Sequence, residues 1–185
     1  DSTILATTDG GTTWTVQNMS GVSSYSPGAV EFVTDLEGWI SARGRYTGKG
    51  STFITGDVVL HTSDGGATWS EQHTGASQSP YAMDFVDTNE GWSVGVGGVI
   101  THTSDGGSTW EIQDSGTSDF LRAVSFSDSD HGWAFGMGGT IIHTQDGGDL
   151  WSAQTSTTTT RLTAIDAADN NVVWVAGSGG TILRT

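Results

Sequence analysis

The stretch Ser104-Asp105-Gly106-Gly107-Ser108-Thr109-Trp110 decides the fold, because it recurs. Its other copies are Thr8-Asp9-Gly10-Gly11-Thr12-Thr13-Trp14, Ser63-Asp64-Gly65-Gly66-Ala67-Thr68-Trp69 and the degenerate Gln145-Asp146-Gly147-Gly148-Asp149-Leu150-Trp151. An Asp-Gly-Gly turn between two strand-like runs is a hairpin signal, since glycine reaches positive φ without strain. Recurrence of that hairpin marks a repeat protein.

The tryptophans give the period. Trp14, Trp69, Trp110 and Trp151 are spaced by 55, 41 and 41 residues, and Trp39, Trp92, Trp133 and Trp174 by 53, 41 and 41. The two series use all eight tryptophans, so the unit is 41 residues with an insertion in the first full copy. The clearest unit reads as strand A at Leu121–Phe126, B at His131–Gly136, C at Thr140–Gln145 and D at Leu150–Gln154. Four short antiparallel strands in about 40 residues are the signature of a β-propeller blade. Ile141-Ile142 and Val172-Val173-Trp174-Val175 are apolar on both faces of their strands, which requires cover on both sides. Blades stacked in a ring provide it.

The expected fold is therefore all-β, a β-propeller of four-stranded antiparallel Asp-box blades. About four blades are expected, with incomplete blades at the ends, in a single domain or arc over 1–185. The blade parts fall at 1–17, 28–72, 81–113, 121–154 and 162–185. Strands A, B and D occur four times and strand C five times, because Thr3-Ile4-Leu5-Ala6-Thr7 matches Thr181-Ile182-Leu183-Arg184-Thr185. A ring with a surplus strand, an arc of a larger ring, and a chain that lends a strand to a neighbour all stay open.

Composition narrows the partners. The chain has 21 acidic and 6 basic residues, a net charge of −15, which repels duplex DNA and anionic lipid. No nucleic-acid partner is expected. No run is long and apolar enough for a membrane helix, so no membrane insertion is expected. The absence of cysteine excludes disulfides without fixing the compartment; an acidic, lysine-poor surface suits an extracytoplasmic setting (secreted, periplasmic or cell-surface) or a salty one, with simple solubility as the plain alternative. The start at Asp1 reads as a processed form or an excerpt of something longer. Asn18-Met19-Ser20 is a glycosylation sequon, and Thr155–Thr160 reads as a connection.

The pattern Gly-x-Gly-Gly-Thr-Ile-[Ile/Leu]-[His/Arg]-Thr-x-Asp-Gly-Gly-x-x-Trp, with Gly-Trp about 20 residues on, resembles the β-propellers related to the photosystem II assembly and stability factor. More broadly it resembles Asp-box propellers such as sialidases, sortilins and xyloglucanases. The resemblance covers residues 3–185 and places the Asp box at the turn between strands C and D. It implies a scaffold element, because the box is shared by proteins of unrelated activity.

The residues themselves support that reading. Asp9, Asp64, Asp105 and Asp146 can accept backbone N–H bonds within their own turns. Trp14, Trp69, Trp110 and Trp151 then cover the hairpins. A bound calcium needs more oxygen ligands than one Asp per turn supplies. Neither a metal nor a cofactor is expected.

The candidate binding site lies elsewhere. The insertion from Ala42 to Gly56 carries Arg43, Arg45 and Lys49, half of the basic residues, together with Tyr46. It is read as an irregular B–C loop. The D–A loop from Asn18 to Pro27, with Tyr25, belongs to the same rim. Tyr25, Arg43, Arg45, Tyr46 and Lys49 are suited to a carboxylate, a sugar or an acidic patch on a partner protein. A solvated loop without a role is the plain alternative.

His61, His102 and His143 share one register, three residues before each box Asp, with Ala6 and Arg184 in the terminal copies. Resembling proteins often have arginine there, as part of a basic patch; only Arg184 keeps it. Neighbouring blades set equivalent residues on the order of 10 Å apart, too far to share one ion. Packing between blades is the expected role. Catalysis has little support: the arginines needed for a sialidase site are scattered, and most acids fall in repeated turns.

The expected function is a non-catalytic scaffold that binds a protein or glycan through the B–C/D–A rim. Self-assembly into an oligomer or filament through the incomplete end blades, a photosystem assembly role and a glycosidase are the alternatives.

Overall fold

Short β-branched and aromatic runs between Gly-rich turns form strands throughout the computed structural model, which describes residues 3–18, 25–47, 52–54 and 56–185. The first sheet pairs β1 (Leu5–Ala6) with β2 (Thr15–Val16). The next blade contains β3 (Tyr25–Phe32), β4 (Gly38–Thr47), β6 (Val58–Thr62) and β7 (Ser70–His73), with β5 (Thr52–Ile54) added to β4. The following blade holds β8 (Pro80–Phe85), β9 (Gly91–Gly95), β10 (Ile100–Thr103) and β11 (Glu111–Gln113). Another four-stranded blade holds β12 (Leu121–Phe126), β13 (Gly132–Gly136), β14 (Ile141–Thr144) and β15 (Ser152–Gln154). A three-stranded sheet of β16 (Leu162–Ala167), β17 (Val173–Gly177) and β18 (Ile182–Arg184) follows.

All pairings are antiparallel between sequence neighbours, apart from the step over β5. Strand C thus occurs as β1, β6, β10, β14 and β18, and A, B and D occur four times each. The expected propeller blades with incomplete ends are present. The B–C turns at Val96–Gly98, Met137–Gly139 and Ser178–Gly180 are single 3₁₀ turns. Strand D begins at the residue after the box Trp, later than Leu150, because the box hydrogen bonds occupy the backbone through position 150.

The core runs between blades. Trp39 of one blade stacks on Phe85 of the next at 3.9 Å between ring centroids, and Trp92 on Phe126 at 3.5 Å. Each Phe then meets the box Trp of its own blade edge-on, Phe85 with Trp110 and Phe126 with Trp151. The Phe ring also lies over the glycine that opens strand B: a Cβ on Gly91 would be 2.3 Å from Phe85 and one on Gly132 would be 2.3 Å from Phe126. The Gly-Trp pair of the repeat is thereby explained. Glycine admits the ring, and tryptophan stacks on the ring of the neighbour.

Candidate functional site

The box rim is built first. In each box a Thr two residues before the Asp donates its hydroxyl to the Asp Oδ1, as Thr62 does to Asp64 at 2.8 Å and Thr103 to Asp105 at 2.9 Å. The same Thr Oγ1 accepts the second glycine's N–H, as from Gly66 and Gly107. The Asp accepts the N–H of the residue four positions on, at 2.8 Å from Thr68 and Thr109. The Thr68 hydroxyl also donates to Asp64 Oδ2, at 2.6 Å. These bonds favour the charged carboxylate. They hold Asp64 down at about 2, with the Thr68 hydroxyl and N–H as the leading causes. Asp9 is held at about 2 chiefly by the Thr13 N–H and hydroxyl. Leu150 replaces the threonine in the last box and leaves only the backbone bond.

The box also joins blades. The carbonyl of its first glycine accepts two donors from the preceding blade: Gly106 O from Trp39 Nε1 (3.2 Å) and Gln72 Nε2 (2.9 Å), and Gly147 O from Trp92 Nε1 (3.0 Å) and Gln113 Nε2 (2.8 Å). The box thus serves both its own turn and the seam. Among the described residues no group of three or more His, Asp or Glu side chains is arranged to hold a metal ion.

The A–B turns on this rim follow one rule as well. Asp87, Asp128 and Asp169 each accept two N–H groups of their own turn, and Thr34 Oγ1 does so in the first blade. Of the acids repeated in these turns, Asp87, Asp128 and Asp169 are turn caps.

The histidine row packs within its own blade and not between blades. His61 lies against Trp39, His102 against Trp92 and His143 against Trp133, at 5.0, 4.7 and 4.5 Å between centroids. The cause is register: each histidine on strand C is the direct cross-strand partner of the strand B tryptophan. The contact between blades belongs to the other face of the tryptophan. His61 Nε2 meets Glu37 at 2.7 Å and His102 Nε2 meets Glu90 at 2.8 Å. In the third blade His131 stands where those glutamates stand, and His143 Nε2 is buried without a hydrogen-bond partner. Burial, then the charge of His131, lowers the pKa of His143.

The opposite rim differs from its expected form. Residues 42–56 are not a plain loop: β4 runs on to Thr47 and β5 pairs back on it, with Arg45 opposite Ile54 and Tyr46 opposite Phe53. Thr52-Phe53-Ile54 has the β-branched and aromatic content that favours this hairpin. The backbones of Arg43, Arg45 and Tyr46 therefore stand on a strand; their side chains and the whole of Lys49 lie outside the described residues. Tyr25 is opposite Arg45 in the ladder, but its ring is 3% exposed and packs in the cluster of Ile40, Ala42, Val58, Leu60 and Trp69. Tyr25 is a core residue and is withdrawn from the candidate binding set.

Sequence reasoning missed a group on this rim. Arg122 donates from Nη2 to the Tyr81 hydroxyl at 2.6 Å. Its guanidinium carbon lies 4.7 Å from the Tyr81 ring centroid and 5.0 Å from that of Phe120, and the two rings meet edge-on at 4.8 Å. The signal was available: the register that holds Tyr81 and Arg122 holds Gly28 and Thr163 in the other blades, so this pair breaks the repeat. Also missed were Glu31 and Asp84 on the A strands. Asp84 accepts the Phe126 N–H of the next blade at 2.6 Å. Burial raises the pKa of both acids, and the charge of Asp84 adds to the effect on Glu31.

The rims differ in charge, although the B–C/D–A side also carries Asp57, Asp114 and Asp119. Of the 21 acidic residues, twelve lie in the A–B and C–D turns of the box rim: Asp9, Asp35, Glu37, Asp64, Asp87, Glu90, Asp105, Asp128, Asp130, Asp146, Asp149 and Asp169. Arg43, Arg45, Arg122 and Arg161 map to the B–C and D–A side. Among the described residues no helix is long and apolar enough to cross a membrane.

Comparison with known proteins then gives a family. The sequence profile of the photosynthesis system II assembly factor YCF48 matches residues 45–117 and 108–185. Among curated proteins, none matches. YCF48 from Cyanidioschyzon merolae is similar in structure, with a TM-score of 0.74 at 21% identity over 98% of this chain and 62% of that one. A YCF48 bound to D1 peptide gives 0.56 at 20% identity, over 88% of this chain and 63% of that one. The GH74 enzyme of Niastella koreensis gives 0.60 at 16% identity, over 78% of this chain and 24% of that one. At these identities the structures share the fold alone. The chain spans less than two thirds of the length of either YCF48.

Proposed function

Because this chain belongs to the family of the photosynthesis system II assembly factor YCF48, we propose that it is a non-catalytic scaffold that holds a protein partner on its B–C/D–A rim. The distribution of charge carries this reading: in a chain of net charge −15, four of the five arginines map to one side, with three acids against twelve in the turns of the other rim. A related YCF48 has been solved with a D1 peptide, which makes an extended peptide the partner class to test first. Seven of the turn acids, Asp9, Asp64, Asp87, Asp105, Asp128, Asp146 and Asp169, serve as caps or box residues, which supports the non-catalytic reading. The partner is met outside the cytoplasm, in keeping with the acidic, lysine-poor composition. A glycan is the alternative ligand for the same arginines.

The test is biolayer interferometry with immobilised D1 peptide. Saturable binding that weakens about tenfold or more in Arg43→Ala/Arg45→Ala/Lys49→Ala supports the reading. Absent binding, or binding unchanged in the triple variant, overturns it.

A second reading, self-assembly, rests on a groove of about 870 Å³ between the β1–β2 hairpin and the β3 blade. It is lined by Ile4, Leu5, Val30, Phe32 and Trp69, and it lies where strands A and B of the first partial blade would stand. In this reading β16 and β17 of a second copy fill it. The copies together hold one C strand too many, so β1 or β18 must be displaced. A sedimentation coefficient that stays monomeric at high concentration removes this reading.

A further inference from the structure

The cluster of Arg122, Tyr81 and Phe120 has the form of a receptor whose ligand is absent from the scaffold's own hydrogen bonds. A guanidinium offers five donors. Here one of them serves the Tyr81 hydroxyl, and among the described residues no carboxylate lies within 4.0 Å of Arg122. That is unusual in a chain with 21 acidic residues and 6 basic ones. Asp119, three residues away, is engaged elsewhere: its Oδ2 accepts the Thr140 hydroxyl at 2.5 Å.

The cluster is also rigid. The two aromatic rings restrict the guanidinium plane, with centroid distances of 4.7 and 5.0 Å, and the Tyr81 hydroxyl fixes its rotation. Phe120 is anchored through its backbone, because its carbonyl accepts the Met137 N–H of the B–C turn at 3.0 Å. Gly136 lets that carbonyl approach: a Cβ there would lie 2.4 Å from Phe120 O. Tyr81 is the second residue of β8 and Arg122 the second of β12, so the cluster bridges two blades at the start of their A strands. Arginine held planar by aromatic rings is preorganised for bidentate recognition of a carboxylate, and little side-chain entropy remains to be lost. A purely structural arginine would be expected to find its carboxylate within the fold.

We propose that Arg122, positioned by Tyr81 and Phe120, is a receptor for a peptide carboxylate, supplied by the carboxy terminus or an acidic side chain of the partner. The assignment rests on the reading of this rim as the partner-binding face. It adds a residue and a chemical group that the basic hairpin of β4 and β5 does not include.

The experiment is an NMR titration of the whole chain, followed at the Arg122 Nε–H. The probes are N-acetyl-dialanine with a free carboxylate, the same peptide as its amide, and a capped tripeptide amide with one central glutamate. Saturable displacement of the Arg122 signal by either acid, and none by the neutral amide, is the expected result; the two acids separate a terminal from a side-chain source. Affinity falls about tenfold or more in Arg122→Gln, and Arg122→Lys restores only part of it, because lysine lacks the planar fork. Tyr81→Phe keeps the ring but removes the hydroxyl, and weakens binding less than Arg122→Gln does. Equal shifts with acid and amide, or undiminished binding in Arg122→Gln, overturn the proposal. If these probes fail while the β4–β5 hairpin variant still loses the D1 peptide, this inference falls and the reading of the rim stands.

Discussion

Trp92 lies flat against Phe126 across the seam between two blades, with ring centroids 3.5 Å apart and planes 10° from parallel. Its other face carries His102, and its Nε1 donates to Gly147 O, so one side chain ties strand B of one blade to strand A and the box of the next. Phe126 is itself 7% exposed and meets Trp151 edge-on. Phe126→Ala therefore strips cover from two tryptophans. We expect a loss of about 3–5 kcal/mol in urea unfolding, the usual cost of emptying a buried Phe site. Ala167 occupies the matching place in the last sheet, but it faces the buried Val173 where the other blades have glycine, so Ala167→Phe is expected to overpack the seam and destabilise the fold.

Two adjacent glycines separate backbone strain from steric collision. Gly97 and Gly98 both have positive φ, 72° and 74°. A Cβ on Gly97 meets nothing within 4 Å, whereas one on Gly98 would lie 2.0 Å from the Thr117 carbonyl oxygen. Gly97→Ala is expected to cost about 1 kcal/mol of backbone strain. Gly98→Ala must also move the D–A loop, so its thermal midpoint is expected to fall clearly further. Equal midpoints would show that the loop yields freely.

The third blade differs from its neighbours in acid response. His143 has a depressed pKa, so its neutral form is favoured in the folded state. The stability this confers is complete above the ordinary value of 6.5 and is lost as pH falls below it through the folded pKa. His131→Glu copies the Glu37–His61 and Glu90–His102 pairs, which meet at 2.7 and 2.8 Å. Asp128 would still cap the turn, as Asp87 caps the one before Glu90. NMR titration is expected to show the His143 midpoint rise, and the loss of thermal stability between pH 7 and 5 to shrink. An unmoved midpoint would refute the pairing.

The boxes set the behaviour at lower pH. Asp64 is depressed from 3.8 to about 2. Its stabilising contribution is present above 3.8 and is lost as pH falls through about 2. Asp64→Asn cannot titrate there. The variant is expected to be less stable than the parent at pH 7, with a shallower decline between pH 4 and 2, followed by circular dichroism.

Most of the fold was legible because the repeat states it several times. The Trp spacing, the Asp-Gly-Gly turn and the doubled strand C gave the blades and their incomplete ends, since these depend on local turn chemistry and on period. What was not legible depends on pairing between distant residues. The histidine row looked like a seam element, and only the register of Trp39 with His61 shows that it covers its own blade. Tyr25 looked like a rim residue beside a basic insertion, yet the strand alternation that buries Ile40 and Ala42 buries its ring too. The β4–β5 hairpin was read as a loop because glycines at 44, 48, 50 and 56 obscured the β-branched run between them. The Arg122 group is not a cluster in sequence: Tyr81 reaches it from another blade and Phe120 from the preceding loop.

The central claim is that the partner sits on the B–C/D–A rim and leaves the box rim free. Amide NMR of the whole chain during titration with the D1 peptide tests it most directly. The account predicts that shifts concentrate at residues 96–99, 114–122 and 137–140, with the four Asp-box turns unmoved. Shifts concentrated at Asp64, Asp105 and Asp146, with residues 114–122 silent, would contradict it.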